Sequence, residues 1–213
     1  MSTLGIDEAG RGPVIGPLVI AGVIGSDKKL KYLGVKDSKD LSTQQRNSMY
    51  NEIIEVVDSY KIIKISPKEI DKAVLGKSNL NWLEADYSIK IINELKPSKV
   101  ILDCPSNNTV KYKEYVVNRV NAKIKIISEH KADEKYPTVS AASILAKVTR
   151  DREIEKIKDK INENIGSGYP SDPVTVEFLK KNWNEYDIFR KSWETYQKVK
   201  GNSSQSKLGD FRG

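Results

Sequence analysis

Four acidic residues stand where acids are costly. Asp7 and Glu8 close an apolar stretch that begins at Thr3, Asp103 follows directly on Val100-Ile101-Leu102, and Asp133 precedes a long helix-forming run. A carboxylate at the end of a buried strand is unfavourable unless something compensates its charge. Carboxylates brought together from separate elements make a hard, oxygen-only donor set, which suits Mg²⁺ or Mn²⁺ and not zinc. Two such ions can activate a water and stabilise the leaving oxygen in phosphodiester hydrolysis. Adjacent strand residues point to opposite faces. Asp7 and Glu8 therefore share one site only if the chain bends, which Gly10 and Gly12 permit. Taken singly, each acid is equally well explained as the cap of a turn.

Composition narrows the chemistry further. The chain has 213 residues, with 36 Lys+Arg against 29 Asp+Glu and a formal net charge of +7. That surplus favours polyanion partners, although the charges are mixed along the chain. One cysteine, Cys104, excludes an intramolecular disulfide and a Cys-cluster zinc site, and one histidine, His130, leaves no set of imidazoles for zinc. Any Ser or Cys triad would have to run through that same histidine. No apolar run reaches the ~18 residues of a membrane span, and the start carries neither a basic nor an apolar signal region. The sequence reads as a soluble, cytoplasmic protein, monomeric and without membrane contact, whose catalysis uses carboxylates, lysines or hydroxyls.

The elements that must position the acids follow from patterning. Thr3–Asp7, the nearly all-apolar Gly16–Gly25, Tyr60–Ile65, Lys99–Leu102 and Lys123–Ile127 read as strands. Ser42-Thr43-Gln44-Gln45 and Ser66-Pro67-Lys68-Glu69 read as capped helix starts. Helices are expected from Ser42 to Val57, Leu80 to Leu95, Thr109 to Val120, Tyr136 to Asn162, Val174 to Asn182 and Ile188 to Tyr196. Three early strands can form a meander, and strands joined by helices pair in parallel. The expectation is an α/β fold: a mixed five-stranded sheet flanked by helices, with a C-terminal helical extension. Residues 1–150 would form the catalytic core, 151–200 a helical region packed on it, and 201–213, rich in Gly, Ser and Asn, a flexible tail.

Two glycine-rich segments fail as nucleotide loops. Gly76-Lys77-Ser78 lacks the earlier P-loop glycine, where Asp71 stands instead. Gly10 to Gly16 is followed by an apolar strand and not by a helix, and its third glycine is one residue late for a dinucleotide fingerprint.

Longer blocks are more specific. Gly5-Ile6-Asp7-Glu8-Ala9-Gly10-Arg11-Gly12-Pro13-Val14-Ile15-Gly16-Pro17-Leu18-Val19 closely resembles the N-terminal signature of type 2 ribonuclease H, ribonuclease HII. Asp37-Ser38-Lys39-Asp40-Leu41-Ser42 resembles that family's loop, Leu102-Asp103 its strand-end aspartate, and Ala132 to Asp151 the block carrying its fourth acid. Gly166-Ser167-Gly168-Tyr169-Pro170-Ser171-Asp172 is similar to the archaeal form of its tyrosine loop. The likeness runs from residue 3 to 190.

The resemblance implies an RNase H-like fold and endonucleolytic cleavage of RNA in RNA–DNA hybrids. It also implies incision at a single ribonucleotide in duplex DNA, leaving 3′-hydroxyl and 5′-phosphate ends. Carried over, Asp7, Glu8, Asp103 and Asp133 hold two Mg²⁺ or Mn²⁺ ions. Gly10-Arg11-Gly12 clasps the backbone and reads the 2′-hydroxyl that separates RNA from DNA. Tyr169 stacks on the next sugar. Ser38, Lys39 and Lys147 are substrate contacts, the two lysines meeting phosphates. Lys147 shares a helix face with Ser140, Ser143 and Arg150. The stretch 147–160 reads as an exposed, ion-paired helix, and Trp183/Tyr186 and Trp193/Tyr196 as helix packing. The tail, through Gln205, Leu208 and Phe211, resembles a sliding-clamp-binding box, with Arg212 departing from the final aromatic position. Another RNase H-like nuclease, such as a junction resolvase or type 1 ribonuclease H, and a non-catalytic hybrid binder are the competing readings.

Overall fold

The computed structural model describes residues 2–35, 42–76 and 78–209, with side chains described through residue 202. In chain order the elements are β1 (Thr3–Ala9), β2 (Leu18–Ile24), α1 (Asp27–Tyr32), α2 (Thr43–Val56), β3 (Ser59–Ile65), α3 (Pro67–Val74) and α4 (Leu80–Leu95). They continue with β4 (Lys99–Asp103), α5 (Thr109–Val117), β5 (Lys125–Glu129), α6 (Ala132–Lys135), α7 (Pro137–Ile161), α8 (Pro173–Asn182) and α9 (Glu194–Gly209).

The strands form one sheet in the order β3-β2-β1-β4-β5. β1, β2 and β3 pair antiparallel, while β4 runs parallel to both β1 and β5. The expected mixed sheet is therefore present, with the meander and the parallel half meeting at β1. Both serine-started helices carry full capping boxes, at Ser42/Gln45 and Ser66/Glu69.

Each face of the sheet is covered. Leu4, Ile6, Leu18 and Ile20 pack with Ile89, Ile91 and Ile92 of α4 and with Tyr112 and Val116 of α5. On the other face Ala9, Val19, Ala21 and Val23 pack with Ala141, Ile144, Leu145 and Val148 of α7 and with Ile53 of α2. α7 lies unusually close to β1. A Cβ added at Gly5 would overlap the backbone of Thr138 and Val139, so only glycine lets the start of α7 rest on the strand.

A third cluster joins Val14 and Ile15 to Ile154, Ile165, Phe178, Leu179, Phe189 and Tyr196. Here the structure corrects one expectation: Ile188 to Trp193 is not helical, and the last helix starts at Glu194 and runs to Gly209. The backbone donors of this stretch are taken by other elements. Phe189 bridges Ile15, the Arg190 N–H donates to the Val14 carbonyl, and the Asp71 carboxylate accepts from the N–H groups of Lys191 and Ser192. The short helices α1 and α6 were not anticipated, because so few residues establish no helical period.

Candidate active site

β1 and β4 are parallel neighbours, with Ile6 opposite Leu102, so their carboxyl ends bring Asp7 and Asp103 side by side. Ligand sites favour the carboxyl ends of parallel strands. Asp103 also fixes the third acid: its Oδ1 accepts the Ala132 N–H at 3.2 Å, at the start of α6. Lys131 turns the chain there with φ 56°. Asp7, Asp103 and Asp133 each offer a carboxylate oxygen, and these oxygens lie within 4.8 Å of one another.

Glu8 stands apart from this trio. Asp7 pairs with Ala21 and Glu8 with Ile20, and opposed residues in an antiparallel pair share a face. Ala21 belongs to the α7 face and Ile20 to the α4 face. Asp7 therefore turns to α7 and Glu8 to α4, where it is within electrostatic reach of Glu84 and Arg11 as well as of Asp7 and Asp103. The strand does not bend before Ala9; the bend comes at Gly10, whose φ is 89°.

Burial dominates the electrostatics. Asp7 is 6% exposed, and its carboxyl is raised to about 7, first by desolvation and then by the charge of Asp103. The Ser143 hydroxyl, the Glu8 N–H at 2.7 Å and Lys147 act in the opposite direction. Glu8 is pushed well above its ordinary value by burial and by Asp7 and Glu84, and Asp103 is raised by burial with help from Asp133. Desolvated carboxyls facing one another in this way are an arrangement that cations would relieve. The donor set therefore fits a hard divalent ion.

Around the acids, Lys147 sits half-buried on α7, one turn beyond Ser143. Ser140, Ser143 and Arg150, which share its face, are all buried. Ser140 donates to the Val35 carbonyl. Gly10-Arg11-Gly12 follows β1 directly, and Tyr169 lies against it, since a Cβ at Gly12 would be 3.6 Å from the Tyr169 ring. The N–H groups of Val14 and Ile15 both donate to the Gly168 carbonyl, which docks the two loops together. The Arg150 guanidinium donates to the Ser167 carbonyl at 2.7 Å and lies 5.1 Å from the Tyr169 ring centre. His130 is held through Nδ1 by the Cys104 carbonyl oxygen at 3.0 Å.

The Arg11 side chain turns away from the loop. It pairs with the buried Glu84 on α4 and donates to Asn81 at 2.9 Å. Glu84 is raised to about 7 by burial, against the pull of Arg11 and Arg190. Glu84, Arg190 and Trp193 were absent from the sequence reading as site residues. The available signal was an acid shortly before the apolar Ile89, Ile91 and Ile92 for Glu84, and for Arg190 a cation following Phe189. Ser38, Lys39 and Phe211 lie outside the described residues, while Gln205 and Leu208 fall in the last turns of α9. A groove of about 530 Å³ between α2 and α7 is lined by Arg46, Arg150 and Arg152 but also by Asp151, Glu155 and Asp159, and it does not include the acids. Among the described residues, no helix is long and apolar enough to cross a membrane.

Comparison with known proteins accords with this geometry. Residues 4–196 match the family model of ribonuclease HII. The chain is 48% identical to the ribonuclease HII of Thermococcus sibiricus over 92% of its length and 89% of that relative. The crystal structure of ribonuclease H2 from Pyrococcus horikoshii OT3 superposes with a TM-score of 0.87 at 42% identity, covering 95% of this chain and 98% of that one. A structure of the PCNA:RNase HII complex from Archaeoglobus fulgidus gives a TM-score of 0.85 at 40% identity, covering 91% and 96%. The fold is RNase H-like, a fold of metal-dependent nucleases, and Asp7, Asp103 and Asp133 could hold a metal ion. The chain belongs to the ribonuclease HII family and is an endoribonuclease. That assignment removes the junction resolvase, the type 1 enzyme and the non-catalytic binder.

Proposed function

We propose that this enzyme hydrolyses the RNA strand of RNA–DNA hybrids and incises duplex DNA on the 5′ side of an embedded ribonucleotide, serving ribonucleotide excision and primer removal in the cytoplasm as a monomer. The observation that carries the reading is the placement of three aspartates, with oxygens within 4.8 Å, beside a glycine loop packed on Tyr169. Asp7, Asp103 and Asp133, with Glu8 from the opposite face, would hold two Mg²⁺ or Mn²⁺ ions. When bound, such ions supply an activated water and stabilise the leaving oxygen.

The chain's own residues do the rest. Asp7 and Asp103 are fixed by strand pairing, and Asp133 by the Asp103–Ala132 hydrogen bond. Lys147, beside Asp7, would meet the scissile phosphate. The amides of Gly10-Arg11-Gly12 would approach the ribose 2′-hydroxyl, and the exposed part of Tyr169 would stack on the following deoxyribose. Ser38 and Lys39 would contact neighbouring phosphates. Water adds to phosphorus as the P–O3′ bond breaks. The 3′-oxygen leaves as a hydroxyl and the phosphate stays on the 5′ end. Residues 1–150 would act as the catalytic core and 151–200 as a helical region that supports the loops, while 201–213 and its Gln205, Leu208 and Phe211 would engage a sliding clamp. The PCNA complex of the Archaeoglobus relative supports the last point.

A DNA duplex with one ribonucleotide, incubated with Mg²⁺, Mn²⁺ or EDTA and mapped at nucleotide resolution, tests the reading. A single cut 5′ of the ribonucleotide with either metal, and none in EDTA, is expected. No cut with either metal, or an equal cut in EDTA, overturns it. Deleting residues 204–213 should abolish capture on immobilised clamp without changing cleavage in its absence.

A further inference from the structure

We propose that Arg190 and Trp193 are positioning residues that give the Gly10–Gly12 loop its preference for a ribonucleotide, by holding the loop's carbonyls inward so that its amides face the substrate. This rests on the reading of that loop given above. Arg190 is completely buried. Its Nη2 donates to the Gly10 carbonyl at 2.7 Å, its Nη1 to the Arg11 carbonyl at 3.0 Å, and its Nε to the Gly16 carbonyl at 3.0 Å. The indole Nε1 of Trp193 donates to the Gly12 carbonyl at 3.0 Å, and the Arg190 guanidinium lies 4.8 Å from the Trp193 ring centre. Two side chains thus engage the carbonyl oxygens of all three loop residues and of the glycine that ends the turn.

The consequence follows from peptide geometry. In a planar trans peptide the C=O and the next N–H point in opposite directions, and no cis peptide is present among the described residues. Carbonyls of Gly10 and Arg11 turned toward Arg190 leave the N–H groups of Arg11 and Gly12 directed away from it. The next residue, Pro13, has no N–H. The loop therefore presents two adjacent amide donors on the face away from Arg190, a pattern suited to one hydroxyl oxygen. Burying a guanidinium is costly unless its donors are used. A residue needed only to fill space would be apolar, whereas a planar fork holds several acceptors in fixed directions. Arg190 is in turn held by its own N–H on the Val14 carbonyl at 2.8 Å and by Asp71, which accepts from the N–H groups of Lys191 and Ser192 at 2.8 Å each.

Arg190→Lys keeps the charge and removes the fork. Binding is read by fluorescence anisotropy in EDTA, where turnover does not intervene, on two duplexes that differ only in one ribonucleotide. The full-length wild type should prefer the ribonucleotide duplex. The variant should lose about tenfold of that preference, the value of one or two charged hydrogen bonds, with affinity for the all-deoxy duplex unchanged. A preference equal to wild type overturns the proposal, as does a parallel loss on both duplexes, which is what a merely structural role produces. A wild type without any preference would instead refute the reading of the loop itself. If Arg190→Lys melts at the assay temperature, Trp193→Phe decides: it keeps a ring and removes one donor. A loss of about threefold in preference supports the proposal and no loss overturns it.

Discussion

Asp7 and Gly12 are close neighbours in sequence, yet different parts of the chain hold them. Asp7 sits inside the sheet, its backbone paired with Ala21 on one side and its strand running beside β4 on the other. Gly12 lies in a loop whose shape is set by Arg190 and Trp193, with Gly168 gripping the residues just beyond it. Asp7 and Asp103 are held by strand pairing, and Asp133 through the Asp103–Ala132 hydrogen bond. The glycine loop is ordered because side chains from far along the chain use its carbonyls. The first arrangement suits a cation site, whose ligands must not drift. The second suits substrate selection, which can be adjusted without disturbing the sheet.

If the two regions are as separable as this contrast implies, Asp103→Asn should remove chemistry and spare recognition. Loss of several kcal/mol of metal-assisted stabilisation predicts a fall of about a thousandfold in kcat. Affinity for a ribonucleotide duplex should stay near wild type. A matching loss of affinity would show that the regions act as one. Gly5→Ala attacks the frame that carries the acids. Its Cβ would meet the Thr138–Val139 backbone, so α7 must move, at a cost of about 2–3 kcal/mol in urea unfolding. An unchanged unfolding midpoint would mean that α7 is free to shift off β1.

Tyr169→Ala should leave the acid region intact and lower turnover on single-ribonucleotide duplexes about tenfold more than on long hybrids, the value of one stacking contact. Equal losses on the two substrates would remove the tyrosine from junction reading. A separate test of the acid region is in pH. Without a cation, Asp7 binds its proton more tightly in the fold than in the unfolded chain, because burial raises it from 3.8 to about 7. Its contribution to stability is thus fully present below 3.8 and is lost as pH rises through about 7. Urea melts in EDTA should show stability declining over that interval, and Asp7→Asn should flatten the decline. Parallel curves for the two proteins would place the burden on another group.

Much of the frame was legible because it is local. Alternation and apolar runs marked all five strands, Ser42 and Ser66 marked two helix starts, and Pro137 at the first turn of α7 agrees with the helix expected there. The strand-end position of Asp7 and Asp103 was enough to suggest a site, since acids are rare in such places. The segment from Ile188 was misread for the opposite reason. Its residues tolerate a helix, but its N–H groups are claimed by Val14 and Asp71, partners that no local window contains.

Read without its fold, the chain already carries the family, the five strands and the expectation of an oxygen-only site, since it has one histidine and one cysteine. These depend on residue type and on spacing within a few turns of chain. The folded chain alone shows that Asp7, Asp103 and Asp133 converge while Glu8 faces α4, because strand register sets which side each residue takes. It also shows that Arg11 spends its charge on Glu84 and that Arg190 reaches back to the glycine loop. Each joins a buried charged group, Glu84 or Arg190, to a partner far along the chain. Such pairings follow from which groups the fold has already removed from water, and so they become visible only once the fold is known.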